Sequence, residues 1–136
     1  MKVSVIGGGT MGNGIAQVFA QNGNDVNLID VKQEYLDRAM ATIEKNLGRM
    51  VKKEKMTDED AKATLGRLNA VVGLENAADS DLVIEAVFEN FEVKKEIFTK
   101  LDEVCGPDTI LASNTSSISL TKIAGTTNRA DKVIGM

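Results

Sequence analysis

The sequence predicts an α/β fold, a doubly wound parallel sheet with a long helix-pair insertion after its second strand. Short apolar, β-branched runs recur at residues 3–6, 26–29, 70–72, 82–87, 110–112 and 133–134. Segments whose apolar residues step by three and four lie between most of them. The runs are apolar on both faces, as strands covered by helices on both sides of a parallel sheet must be.

The elements follow in order. The first strand opens "MKVSVIGGG" and passes directly into a helix marked by Ile15, Val18, Phe19 and Asn22. The second strand, "DVNLID", is followed by a long amphipathic helix in which Leu36, Met40, Ile43, Leu47 and Met50 step 4, 3, 4, 3. By its length it reaches about 30 Å. A second helix of the insertion spans 58–66, opened by Thr57 with Asp60 as a capping-box variant. Val93, Ile97, Leu101 and Val104 mark the helix after the fourth strand, and Gly106 with Pro107 stops it. No internal repeat, low-complexity tract or interdomain linker interrupts the pattern.

At 136 residues the chain is one domain by length. A hydrophobic share of 43% and a charged share of 26% are those of a soluble globular protein. The net charge of −4 argues against a general nucleic-acid binder. The single cysteine, Cys105, cannot form an internal disulfide and fits a structural thiol in a reducing compartment. With no histidine and one cysteine, no zinc site is expected. No secretion signal and no membrane-length apolar run is present, so the expected location is the cytoplasm and no membrane partner is expected.

Gly7-x-Gly9-x-x-Gly12 lies between a strand and a helix, the context that turns a weak glycine pattern into a dinucleotide-binding one. Gly7 permits the tight turn, Gly9 admits a pyrophosphate to the backbone, and Gly12 lets the helix pack close. The helix start at Thr10 and Met11 offers free N–H groups to the anion. Asp30 ends the second strand where such folds place an acid on the adenosine ribose, and it would repel a 2′-phosphate. No arginine follows it immediately; Lys32 is the one nearby cation. NAD is therefore favoured over NADP. Asp30 could also cap the helix that begins near Lys32.

The long helix ends in "GRMVKKEK", where Arg49, Lys52, Lys53 and Lys55 cluster. These cations suit a solvated helix C-terminus; they also suit an arm that meets an anionic substrate handle. The fourth strand delivers Glu85, which in a buried run needs a partner. Glu89, Asn90 and Lys94 crowd the next helix start. Capping explains Glu89 and Asn90, and a surface position four residues from Asn90 explains Lys94. The fifth strand breaks into "SNTSS" (113–117), a polar cluster on the cleft side of the sheet.

With these residues in view, the sequence resembles the NAD-binding domain of L-3-hydroxyacyl-CoA dehydrogenases, especially bacterial 3-hydroxybutyryl-CoA dehydrogenases. The resemblance rests on "VIGGGTMGNGIAQVFA", "DLVIEAVFEN" with "KKEIF", "ILASNTSSISLTKIA" and "RADKVIGM", and it spans the whole chain. It implies a Rossmann-type fold, NAD as cofactor, and oxidation of the 3-hydroxyl of an acyl-CoA in fatty-acid or butanoate metabolism, or the reverse reduction of acetoacetyl-CoA. It implies that Asp30 holds the adenosine ribose and that Glu89 and Lys94 lie near the nicotinamide half. Asn114 and Ser116 would stand at the reacting end, with Ser116 on the substrate oxygen, and Asn46 and Lys53 would contact coenzyme A.

A serine alone cannot exchange a proton at neutral pH, so a general acid–base is still required. The resemblance implies a histidine immediately after Met136, and a C-terminal helical domain that forms a homodimer. The expectation is a cofactor domain, 1–136, inactive alone. The competing expectations are a non-catalytic NAD-binding module and a hydroxy-acid dehydrogenase that does not use CoA.

Overall fold

The computed structural model describes residues 1–115 and 117–135, apart from the side chains of Ser117 and Ile118. Six parallel strands form one sheet: β1 (Lys2–Ile6), β2 (Asp25–Asp30), β3 (Leu68–Val72), β4 (Leu82–Glu85), β5 (Ile110–Ser113) and β6 (Val133–Gly135). Their order is β3-β2-β1-β4-β5-β6, that of a Rossmann-type dinucleotide fold, with the switch point between β1 and β4. The register brings the carboxyl ends to one edge: Ile6 pairs with Ile29 and Glu85, Asp30 with Val72, and Glu85 with Ser113. All the loops of interest leave from that edge.

Because strand side chains alternate, successive residues feed opposite layers. Val5, Leu28, Ile84 and Ala112 pack against α1 (Thr10–Gln21) and α2 (Gln33–Lys52) through Ala16, Leu36, Ile43 and Leu47, with Ala61 and Leu65 of α3 (Asp58–Gly66) joining the same cluster. Ile6, Ile29, Val83 and Leu111 pack on the other face against α4 (Phe91–Val104) and α5 (Ser117–Ala124) through Phe98, Leu101 and Ile123. The helix pair inserted after β2 is present as predicted. Thr57 caps α3 by accepting the Asp60 N–H at 3.1 Å. α2 ends in a Schellman turn: Glu54 sits in the left-handed region (φ 58), its N–H reaching Val51 O, while the Lys55 N–H reaches Met50 O.

One predicted strand is too long. The run 82–87 is apolar throughout its end, yet β4 stops at Glu85. The Glu85 carboxylate accepts the Val87 N–H at 2.7 Å and turns the chain out of the sheet. The Ala86 N–H still donates to Ile6 O at 2.9 Å, so the departure occurs beside the end of β1.

The C-terminal end of α4 is held from a distance by Arg129. Its guanidinium donates to Asp102 Oδ1 (2.7 Å) and to the carbonyls of Asp102, Cys105, Gly106 and Thr109. Burial pushes the Cys105 thiol up, and its Sγ faces Ala77 O at 3.5 Å, in keeping with a structural thiol. Burial would also raise the Asp102 carboxyl, but the Asn128 N–H and the Arg129 guanidinium outweigh it and hold the group below its ordinary value. A depressed carboxylate contributes stability that is complete above its unfolded pKa and is lost as pH falls through the folded one. Urea midpoints should therefore drop below about pH 4, and D102N should flatten that part of the profile; an unchanged slope in D102N would refute the assignment.

Candidate functional site

The turn from β1 to α1 is built from backbone contacts that leave no room for side chains at two of its glycines. Gly7 has φ 109, and a Cβ on it would lie 2.9 Å from Ala86 O. A Cβ on Gly12 would fall 1.7 Å from Gly7 O. Gly9 differs: its φ is −71, and nothing lies within 4 Å of a Cβ placed there. No contact within the chain demands glycine at position 9, and Gly9 borders open space. α1 starts at this point with no side-chain cap and no acidic residue in its first turn. Its first N–H groups have no intrahelical partners, which makes this end a natural seat for an anion.

That open space belongs to a cavity of about 940 Å³, within the range of cofactor sites. It follows the carboxyl edge of the sheet. Gly7, Gly9, Thr10 and Asp30 all border it, together with Tyr35, Arg38, Val72, Leu74, Val87 and Phe88. Gly12 is buried beneath the turn, and Met11, 56% exposed, lies outside the lining. Asp30 does not cap α2, whose N-cap is Lys32. Instead Asp30 Oδ2 accepts the Gly8 N–H and Oδ1 the Val31 N–H, each at 2.7 Å. The carboxylate is thereby fixed at the end of β2, beside the phosphate turn.

A second cluster lies where β4 and β5 end. Lys94, expected on the surface or along a cofactor, has no exposed surface. Its stem runs inward from α4, and Nζ meets both oxygens of the equally buried Glu85 at 2.9 Å. Glu85 also accepts the Ser113 hydroxyl at 2.5 Å, so the partner its burial required is in fact a set of three groups with the Val87 N–H. The exposed member is Glu89, with Oε1 3.8 Å from Lys94 Nζ and 2.6 Å from the donating Thr115 hydroxyl. Asn90 caps α4 by accepting the Val93 N–H. Asn114 follows β5, its N–H on Glu85 O at 3.1 Å. Ser116 and Met136 lie outside the described residues.

Glu89, Lys94 and Asn114 lie beyond Val87 and Phe88 and are not among the residues that line the cavity; Asn46 and Lys53 are apart from it as well. Asn46 donates to Gln17 Oε1 at 3.3 Å across α1 and α2. Lys53 is exposed as the C-cap of α2. Neither borders the cavity. Tyr35, Arg38 and Thr115 were not singled out from the sequence; Tyr35 borders the cavity beside Asp30. Arg38 reaches the Asp30 end of the cavity from two turns along α2, a position eight residues after the acid that helical spacing could have flagged. Thr115 ties the β5 loop to Glu89.

Comparison with known proteins agrees with this architecture. Residues 2–136 match the family described as "3-hydroxyacyl-CoA dehydrogenase, NAD binding domain". The chain is 47% identical over its full length to a 3-hydroxybutyryl-CoA dehydrogenase of Clostridioides difficile and 48% identical to a probable one of Deinococcus radiodurans. It covers 48% and 49% of those proteins, so it spans about half the length of the relatives it matches. The crystal structure of (S)-3-hydroxybutyryl-CoA dehydrogenase from Ralstonia eutropha superposes with a TM-score of 0.95 at 42% identity, covering 99% of this chain and 48% of that one.

Proposed function

The chain belongs to the family of NAD-binding domains of 3-hydroxyacyl-CoA dehydrogenases, and from that premise we propose that it is the cofactor-holding part of a (S)-3-hydroxybutyryl-CoA dehydrogenase. The observation that carries this reading is the β1–α1 turn. Gly7 and Gly12 are required by backbone packing, whereas Gly9 and the uncapped start of α1 open onto the cavity and suit a pyrophosphate. Asp30, anchored by two N–H groups, suits the adenosine ribose hydroxyls.

NAD, when bound, accepts or returns a hydride at its nicotinamide ring. This chain's own groups bind and orient. The N–H groups of Thr10 and Met11 neutralise the pyrophosphate, and the buried Glu85–Lys94 pair holds Glu89 and the start of the β5 loop at the nicotinamide half. Asn114 and Ser116 take the reacting end, with the Ser116 hydroxyl on the substrate's 3-oxygen. Asn46 and Lys53 take the coenzyme A handle of acetoacetyl-CoA or 3-hydroxybutyryl-CoA. With no histidine in these 136 residues, the proton exchanged with that oxygen is assigned to a general acid–base elsewhere in a longer protein, together with its dimer contacts.

Calorimetric titration tests this directly. NADH should bind with one site per chain, NADPH more weakly, while acetoacetyl-CoA reduction stays at background. Absence of NADH binding would refute the cofactor reading; turnover by these residues alone would refute the placement of the acid–base outside them.

A further inference from the structure

The Asp30 end of the cavity carries charges of both signs. Lys32 Nζ and Arg38 Cζ each lie 5.7 Å from the centroid of the Tyr35 ring. Tyr35 and Arg38 border the same cavity as Asp30, whereas Lys32, two residues after Asp30, touches Tyr35 without being one of the lining residues. Among the described residues no carboxylate lies within salt-bridge distance of either cation. A cation held against an aromatic face keeps its N–H groups for another partner. For a guanidinium, that donor fork matches a phosphate. Cations in this position, beside the residue that meets the adenosine ribose, are what a fold uses to accept a 2′-phosphate. Asp30 is what repels one.

We propose that Arg38, steadied on Tyr35 and supported by Lys32 on the same ring, forms an acceptor for a phosphomonoester at the 2′ position of the adenosine ribose, so that exclusion of NADP(H) rests on Asp30 alone. The inference builds on the placement of the adenosine half at Asp30. It predicts that cofactor choice changes with one carboxylate, because the complementary cations are already in place.

The test uses the whole chain and its D30N variant, in which an amide oxygen can still accept the Gly8 N–H. D30N should tighten NADPH binding relative to NADH by about tenfold or more. Adding R38A or K32A to D30N should remove most of that gain, and added salt should erode it. Adenosine 2′,5′-bisphosphate should show the same dependence on Arg38, and adenosine 3′,5′-bisphosphate, which carries the phosphate pattern of coenzyme A, should not. If D30N does not fold, R38A alone should still weaken NADPH binding more than NADH binding.

NADPH affinity indifferent to Arg38 and Lys32, or preference for the 3′,5′-isomer, overturns the proposal. NADH binding to the parent chain together with either result leaves the cofactor reading standing. Failure of the parent chain to bind NADH sinks that reading and the inference together.

Discussion

Replacing Glu85 by alanine is expected to lower the unfolding free energy by about 3–5 kcal/mol, seen as a fall in the urea midpoint at constant slope. The effect is large because Glu85 and Lys94 have no exposed surface, and Nζ lies 2.9 Å from both carboxylate oxygens. Removal of the acid buries an ammonium without compensation and strips the Ser113 hydroxyl and the Val87 N–H of their acceptor. A domain of this size has only about 5–15 kcal/mol in hand. The double variant E85M/K94M should recover part of the loss, since an apolar pair of similar volume often replaces a buried ion pair without penalty, while the Ser113 hydroxyl and the Val87 N–H still lack their acceptor. A single variant within about 1 kcal/mol of the parent would show that water reaches Lys94 and that the pair is not structural.

The second large effect is at Gly12. A methyl group there would meet the Gly7 carbonyl oxygen at 1.7 Å, and both atoms belong to backbone that cannot swing aside. G12A should cost at least about 3 kcal/mol and abolish detectable NADH binding, because relief of the clash pushes α1 away from the turn. G9A provides the contrast. Its φ of −71 suits alanine, and the added carbon meets nothing in the chain. Stability should change by no more than about 0.5 kcal/mol, while NADH affinity falls about tenfold or more as the methyl enters the pyrophosphate's space. Equal binding losses without loss of stability in both variants would contradict the packing role given to Gly12.

Features with a local cause were legible in the sequence. The glycine turn, Asp30, the helix pair after β2 and the need of Glu85 for a partner each follow from a short pattern and its flanks. The overrun of β4 has a different origin. Ala86 and Val87 have strand composition, but the chain leaves the sheet because Glu85 folds back on the Val87 N–H, a contact no periodicity encodes. Lys94 was illegible for a related reason. Its spacing from Asn90 says that the two share a helix face, not that the face turns inward to the ends of β4 and β5. Arg38 depends on how α2 lies over the cavity, which helical spacing restricts but does not specify. Asn46 and Lys53 share that dependence; their distance from the cavity is a property of α2's packing on α1.

Arg129 binds α4 to a segment far along the chain. Its guanidinium holds the Asp102 carboxylate 27 residues away and donates to the carbonyls of Asp102, Cys105, Gly106 and Thr109, the last at the entry to β5. The last turn of α4, the entry to β5 and the approach to β6 are therefore not three independent places where the structure can fray. Displacing Arg129 from this place strips the carbonyls of the first two at once and frees the segment that leads into β6, so their amide protons should exchange through a common opening. The three-residue sheet edge at Val133–Gly135, paired to β5 along its length, should thereby draw protection from a helix end as well as from its own ladder.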